Sequence, residues 1–401
     1  MCVSLLLACS DDKASSSVPE LAGSWYGTDL HLHSAVGSND TDGSTVADYA
    51  EVAGARGLSL AIITDHSNSA GSMDCETGDV EDCINQGPEF PAYDAAVALS
   101  RPGLALAVGV EVSPVHSLQT TSEPTGHVGC LPRTMDAFQT ESASVIDRPA
   151  GTVPGGDGLE WCRSIGGFAV VNHPFSIAGW ISYDWSSSQY DALEVFNGGA
   201  RFDANDAQAV DAWLCDRAKG TPTVAVGGSD THWATTSSPP EAVLGQAVGF
   251  PTTWVRSPSE AGDDLLAALT QGRVIVGDPR THLRIKAVSG ERAVGPGEQL
   301  EVAGSGASAH IEASVTTSGM RLQLIEVKAG DCTDDPRWTT GEAPTYVPTY
   351  LLDMPLEPED MHKVQVDVDA GSTVVARVWP EAAPGVMVDG VAIASPITVG
   401  D

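Results

Sequence analysis

The chain has 401 residues, 42% hydrophobic and 18% charged, which is enough for one large domain plus a smaller one and describes a globular polypeptide. Acidic residues outnumber basic ones 54 to 20, for a formal charge of −34, and lysine occurs only five times. That balance excludes partners that need basic patches, nucleic-acid backbones and anionic membrane surfaces among them, and no internal run is long and apolar enough to span a bilayer.

The N-terminus reads MCVSLLLACS, and its apolar stretch ending Leu6-Leu7-Ala8-Cys9 resembles the lipobox of bacterial lipoproteins, with Ser10 to Pro19 as a polar tether. The eight residues before Cys9 hold no Lys or Arg and are fewer than a signal peptide needs. Residues 1–22 are therefore expected to be a truncated lipoprotein-type signal with its tether, or else a plain apolar terminus. A lipid anchor at Cys9 would be the one contact with a membrane, and the expected location is periplasmic or cell-envelope.

From about residue 23 to 280, short apolar runs alternate with helix-like stretches. The runs are WYGTDLHLH, LSLAIITDH, LALAVGVEV, GFAVVNHP, DALEVFN and TPTVAVGGSD. Between them lie segments such as STVADYAEVAGARG, where Ser44 is expected to cap a helix that Gly57 ends. Such alternation predicts a parallel sheet covered by helices, doubly wound or barrel-like. After about residue 281 the pattern becomes period two with Gly and Pro turns, which predicts a small antiparallel, sandwich-like β domain over 281–401. Its His282, His310 and His362 are isolated and read as structural or surface residues.

Apart from Cys2 and Cys9, six dispersed cysteines suit disulfides in an oxidising compartment, and Cys75 with Cys83, bracketing a polar loop, is the favoured pair. No CxxC spacing occurs that would suggest a thiolate zinc site. There is also no GxSxG elbow for a serine nucleophile.

Each apolar run ends in a ligand-type residue: His31 and His33, Asp65 and His66, Glu111, His173, Glu194, Asp230 and His232. In a parallel barrel the C-terminal strand ends open on one face, which would collect these residues from some two hundred positions. On a strand, Asp29, His31 and His33 should share a face while Leu30 and Leu32 occupy the other. His, Asp and Glu are the donor set of zinc, manganese or iron, and a carboxylate can bridge two ions. Buried charges without partners would cost several kcal/mol each, so chance accumulation is a poor account of the set.

The motifs DLHLHS at 29–34, TDHS at 64–67, GVE at 109–111, GHVG at 126–129, NHP at 172–174, EVFN at 194–197 and GSDTH at 228–232 resemble those of the PHP (polymerase and histidinol phosphatase) superfamily, above all its CehA/McbA metallohydrolase branch. The resemblance covers about residues 25–280. It implies an α/β fold, a distorted (β/α)7 TIM-like barrel (here over 23–280) holding two or three divalent metal ions, Zn, Mn or Fe. It further implies that His31, His33 and Asp230 bind a first ion, which Glu111 bridges to a second held by His127 and His173. A third would be held by His66, His232 and an Asp of the loop SAVGSNDTDGS, where Asp40 and Asp42 are both eligible. Asp65 and Asp29 read as supports for the ligands, and Glu194 and Asn197 as ligand supports or pocket lining. His116 competes with His127 but sits in no matching motif.

The chemistry expected of such a site is hydrolysis by a metal-bridging hydroxide. Asp230 or His232 would move protons. One of Arg148, Arg163 and Arg201, with Arg201 foremost after EVFNGG, would meet a phosphoryl oxygen. The expected substrate is a small-molecule ester, most plausibly a phosphoester. A carboxyl or carbamate ester is the alternative on the same site, and a non-catalytic metal- or ligand-binding lipoprotein is the alternative of another class. Oligomeric state is not readable from the sequence.

Overall fold

The computed structural model describes residues 18–38, 41–66, 90–112, 127–139, 155–175, 190–198, 201–234, 247–302, 306–338, 342–382 and 387–400. Cys9, Asp40, the Cys75–Cys83 pair, His116 and Arg148 lie outside them. In chain order the first half contains β1 (Ser24–Leu32), α1 (Val46–Ala55), β2 (Leu60–Ile63), α2 (Tyr93–Leu99), β3 (Ala105–Val108), β4 (Val110–Val112), β5 (His127–Leu131), α3 (Gly155–Ser164) and β6 (Phe168–Asn172). Next come β7 (Ala192–Asn197), α4 (Ala204–Ala218), β8 (Val224–Gly228), β9 (Thr252–Ser257), α5 (Gly262–Thr270) and β10 (Val274–Gly277). The remainder is almost entirely strand: β11 (His282–Ser289), β12 (Arg292–Val294), β13 (Gln299–Glu301), β14 (Ala307–Ser314), β15 (Met320–Glu326), β16 (Thr349–Leu356), β17 (His362–Val368), β18 (Thr373–Pro380), β19 (Ala392–Ala394) and β20 (Ile397–Gly400). Among the described residues no helix is long and apolar enough to cross a membrane.

The fold is mixed α/β with many strands and few helices, and among the described residues the strands of the expected distorted (β/α)7 barrel do not close on themselves. The strands of the first part fall into two sheets, one containing β10-β9-β1-β2-β3 and the other ordered β4-β5-β6-β7-β8. They meet through isolated bridges, Leu32 to Thr231 and His66 to Glu111, and not through continuous ladders. Two features explain the open seams. The first half of β1 pairs antiparallel with β9, from Ser24 with Ser257 to Thr28 with Thr253, so only its tip remains to reach the chain beyond β8. β5 also runs antiparallel to both β4 and β6, which breaks the parallel repeat.

An apolar floor nevertheless lies between the two sheets. Leu30, Leu60 and Ile62 from one pack with Phe168, Val170 and Val226 from the other, together with Leu265, Leu266 and Leu269 of α5. The helices cover the outside, where Val46, Tyr49 and Ala50 of α1 pack against Leu32 and Ile63. α1 begins one residue later than its sequence suggests. Thr45 is the N-cap and forms a capping box with Asp48, while Ser44 Oγ bonds instead to the Asp42 carboxylate.

Beyond β10 the strands are chiefly antiparallel, as the alternation predicts. β12-β11-β14-β17 form a separate four-stranded sheet, and β11 packs against β13, β18, β19 and β20. Those last strands belong to the same eleven-stranded sheet as β1, because β19 pairs with β10 from Ala394–Ile275 to Ala392–Gly277. The sheet therefore runs across position 280. The described cysteines form two bonds, Cys130–Cys162 tying β5 to α3 and Cys215–Cys332 tying α4 to the C-terminal part.

Candidate metal centre

β1 delivers the first two imidazoles, though not by simple alternation. Its register against β2 shifts between Asp29 and Leu32, and Leu30 and Leu32 pack in different core clusters. His31 and His33 both enter the polar cluster, whereas Asp29 turns away. Its carboxylate accepts from Ser229 Oγ at 2.6 Å, Gly249 N at 2.6 Å and Ser229 N at 3.0 Å. Burial, only partly offset by those bonds, raises its pKa. Asp29 thus holds the residue just before Asp230, whose φ of +50° is a left-handed conformation seldom adopted outside glycine. His173 has φ +27°. Strained backbone at two members of one cluster fits a functional site. At the end of β8, a Cβ on Gly228 would come 2.4 Å from the Cβ of His31, so this close passage requires glycine.

Glu111, fully buried at the centre of β4, is the hub. Its Oε1 lies 2.9 Å from His127 Nδ1, 3.1 Å from His31 Nε2 and 3.3 Å from His173 Nε2. Its Oε2 lies 3.2 Å from His66 Nδ1 and 3.4 Å from His33 Nε2. One carboxylate therefore faces two separate sets of imidazoles. Asp230 Oδ1 sits 3.1 Å from His33 Nε2 and 3.4 Å from His31 Nε2. The His232 ring stacks on His33 with centroids 4.1 Å apart. Three overlapping groups have donor atoms mutually close enough to share an ion: His31, His33, Glu111; His66, Glu111, His127; and His33, His66, His232.

Hydrogen bonding alone does not account for this packing. His31 Nε2 and Glu111 Oε2 are buried and make no hydrogen bond within the described protein, although His31 Nε2 has carboxylate oxygens, and Glu111 Oε2 imidazole nitrogens, at 3.1 to 3.4 Å. Burial lowers the His33 pKa to about 3, with His232 and His66 adding to the effect, which leaves a neutral imidazole ready to ligate. Burial would raise the Glu111 pKa, but His127 and His31 hold it well below the usual carboxylate range. For Asp230, burial is likewise outweighed by His31 and His33, so its carboxylate stays ionised. The donor set fits divalent cations, and an ion would displace the protons that Asp230 and Glu111 favour on His31 and that Glu111 favours on His173, whose pKa values they raise against the effect of burial.

A supporting layer fixes these groups. Asn172 Nδ2 donates to Glu111 Oε1 at 2.9 Å. Glu194 lies 3.0 Å from His31 Nδ1 through Oε1 and accepts from His173 N at 2.9 Å through Oε2, and Asn197 Nδ2 donates to Glu194 at 2.8 Å and Asp230 at 3.3 Å. Asp65 accepts from Ser34 Oγ at 2.8 Å and Ser38 Oγ at 3.4 Å, and burial raises its pKa to about 6. Tyr49 and Ser38 escaped the sequence reading. Tyr49 Oη donates to His33 O at 2.7 Å and Thr231 O at 2.9 Å, and Ser38 Oγ accepts from His66 N at 3.0 Å. Neither lies in a strand-end motif that could have signalled it. Asn172, adjacent to His173 in NHP, carried such a signal.

Asp42 accepts from Ser44 N at 3.0 Å and gives its own N–H to His232 O at 3.3 Å, but belongs to none of the three groups. Arg201 Nε lies 3.8 Å from Asp389 Oδ1. Arg163 lines a cleft with Phe168 and Val224, which begin β6 and β8, at the end of the strands opposite the histidines. His127 begins its strand where the others end theirs. The antiparallel course of β5, pairing His127 with Asn172, still brings it to the same edge.

No family model matches the chain, and no curated protein matches it. Solved structures give remote similarities. A two-domain protein from Bacteroides vulgatus containing a predicted PHP-like metal-dependent phosphoesterase is 16% identical, covering 94% of this chain and 97% of that one, with a TM-score of 0.42. PsfC from Pseudomonas syringae is 18% identical over 60% of this chain and 86% of its own, with a TM-score of 0.36. The lesion-specific endonuclease PfuEndoQ from Pyrococcus furiosus is 15% identical over 66% and 62%, with a TM-score of 0.39. Likeness this low leaves the functional reading to the geometry of the site.

Proposed function

We propose that the chain is a metal-dependent hydrolase of the PHP type, acting on phosphoesters outside the cytoplasm, with residues 23–280 as the hydrolase unit. The observation that carries the reading is Glu111, whose two oxygens face separate sets of buried and half-buried imidazoles. His31, His33 and Asp230 would hold one divalent ion. Glu111 would be shared with a second at His127 and His173, and His66 and His232 would hold a third together with Asp40 or Asp42. Ions of this kind, when bound, polarise an ester oxygen and lower the pKa of water.

The chain's own part is positioning. Glu194 fixes one nitrogen of His31 so that the other faces Glu111, and Asn197 links Glu194 to Asp230. The apolar floor excludes water from below. His232, partly exposed beside Trp233, has Nδ1 3.2 Å from the Asp230 carbonyl oxygen and its ring stacked on His33, which holds it at the rim of the cluster. The two disulfides support an oxidising, exported location. The acidic surface argues for a small-molecule substrate.

A carboxyl or carbamate ester is favoured as second reading by one observation. Among the described residues no Arg or Lys pairs with Glu111 or Asp230, and Arg201 pairs with Asp389, so a phosphoryl group would find no extra cation there. Elemental analysis of wild type, Glu111→Ala and His232→Ala tests the metal centre, expected to be depleted in both variants. Unchanged metal content in both would overturn it. Assay of the metal-loaded protein against phosphomonoesters, phosphodiesters, aryl esters and abasic duplex DNA tests the reaction. Turnover of phosphoesters supports the first reading and of aryl esters alone the second; DNA cleavage contradicts the small-molecule substrate, and no turnover at all contradicts both readings.

A further inference from the structure

Well away from the histidine cluster, a cleft of about 520 Å³ opens between the N-terminal segment with Trp25 and the face of the four-stranded sheet. We propose that this cleft is a binding site for a carboxylated sugar, a uronic acid unit, with Arg284 as its carboxylate receptor.

The sheet register builds the floor. Arg284 on β11 is opposite Glu312 on β14, which is opposite Lys363 on β17. The next row is Lys286, His310 and Gln365. Both rows line the cleft, so donors and acceptors form a flat grid beside an indole. A ring bearing several hydroxyls suits such a grid, because it needs acceptors such as Glu312 as well as donors.

Charge identifies the anion. Four cationic side chains in the cleft, Arg256, Arg284, Lys286 and Lys363, stand against two carboxylates, Glu20 and Glu312, in a chain of net charge −34. Three of the four are committed: Lys286 to Glu20 at 3.2 Å, Lys363 to Glu312 at 2.7 Å, and Arg256 to Glu298 at 2.6 Å. Arg284 is the exception. Its guanidinium lies over Trp25 at 4.8 Å and Trp254 at 5.6 Å, and Nη1 donates only to the neighbouring Leu283 carbonyl. No carboxylate pairs with it among the described residues. Burial lowers its pKa to about 10, and the nearby Glu312 only partly opposes the shift. A guanidinium lying over two indoles, with no carboxylate paired to it, is a planar fork of the kind that binds a carboxylate with two bonds.

Calorimetric titration of the full chain with galacturonate and glucuronate, as monomers and trimers, tests the assignment. Saturable uronate binding at least tenfold tighter than that of the matching neutral sugars is expected. Arg284→Met keeps the stem over the indoles and should weaken uronate binding at least tenfold without moving the thermal midpoint. Gln365→Ala provides a second reading should that variant fold poorly, and should weaken both uronate and neutral sugars. Absence of saturable binding, equal affinity for neutral sugars, benzoate binding as tightly as uronate, or indifference to both substitutions would each overturn the proposal. Glu111→Ala should bind uronate like the wild type, since the two sites share no residue.

Discussion

Two buried polar regions of this protein use similar groups to different ends. In the first, five histidines surround Glu111, and two of the buried atoms that converge there, His31 Nε2 and Glu111 Oε2, make no hydrogen bond among the described residues. In the second, Arg337 donates to Asp216 at 2.6 Å and to Asp335 at 2.5 Å, Tyr190 Oη donates to Asp216, and Lys219 reaches Asp335 at 2.8 Å. The second network satisfies itself and joins α4 to the C-terminal part, beside the Cys215–Cys332 bond. A self-satisfied network serves structure, while an arrangement of donors left facing a centre serves a ligand.

Substitutions should separate the two. The largest effect expected is on Glu111→Ala, a loss of about 10³-fold or more in kcat with the bound metal, since both imidazole sets lose their shared carboxylate. Steady-state assay beside elemental analysis checks it, and retention of both activity and metal would merge the two regions into one structural class. Arg337→Ala should do the reverse. Stranding Asp216 and Asp335 costs about 3–5 kcal/mol in chemical denaturation, while metal content per folded molecule stays at the wild-type value.

Glu194→Gln comes next, with metal affinity expected to fall about 10–100-fold as measured against a competing chelator. An unchanged affinity would show that the contact with His31 orients nothing. Tyr49→Phe removes two buried hydrogen bonds to His33 and Thr231 carbonyls. It should cost about 1–3 kcal/mol of stability, and its effect on kcat should be smaller than that of Glu194→Gln.

The finest distinction is in pH. Burial would raise the Asp335 pKa, but Arg337 brings it from 3.8 down to about 2. A lowered carboxylate pKa gives stability that is fully present above the unfolded value of 3.8 and lost as pH falls toward about 2. Across that interval the wild type should lose denaturant resistance more steeply than Arg337→Ala, and parallel slopes would refute the assignment.

Much of the first region is legible in the sequence because its histidines stand at the tips of apolar runs, where position along the strand predicts position in space. The limits are also physical. His127 precedes its run, and only the reversed course of β5 explains its place. The register shift in β1 separates Asp29 from the face of His31, an irregularity that strict alternation does not anticipate. Ser44 is the cap expected from the sequence, and Thr45 takes that place because Asp48 completes its box while Asp42 takes Ser44. The second region is silent in sequence. Arg337 and Asp216 are 121 positions apart, as Cys215 and Cys332 are 117, and no local pattern pairs them.

The pairing of β10 with β19 has a consequence for any attempt to divide the chain near residue 280. A polypeptide ending after Gly277 would keep the histidine cluster but leave β10 as a bare strand with Ile275, Val276 and Gly277 unpaired on one side. Unshielded ladders of this kind recruit other strands. The C-terminal part thus acts as a hem that keeps the sheet from fraying into its neighbours, and the shortened chain should self-associate more than the whole one.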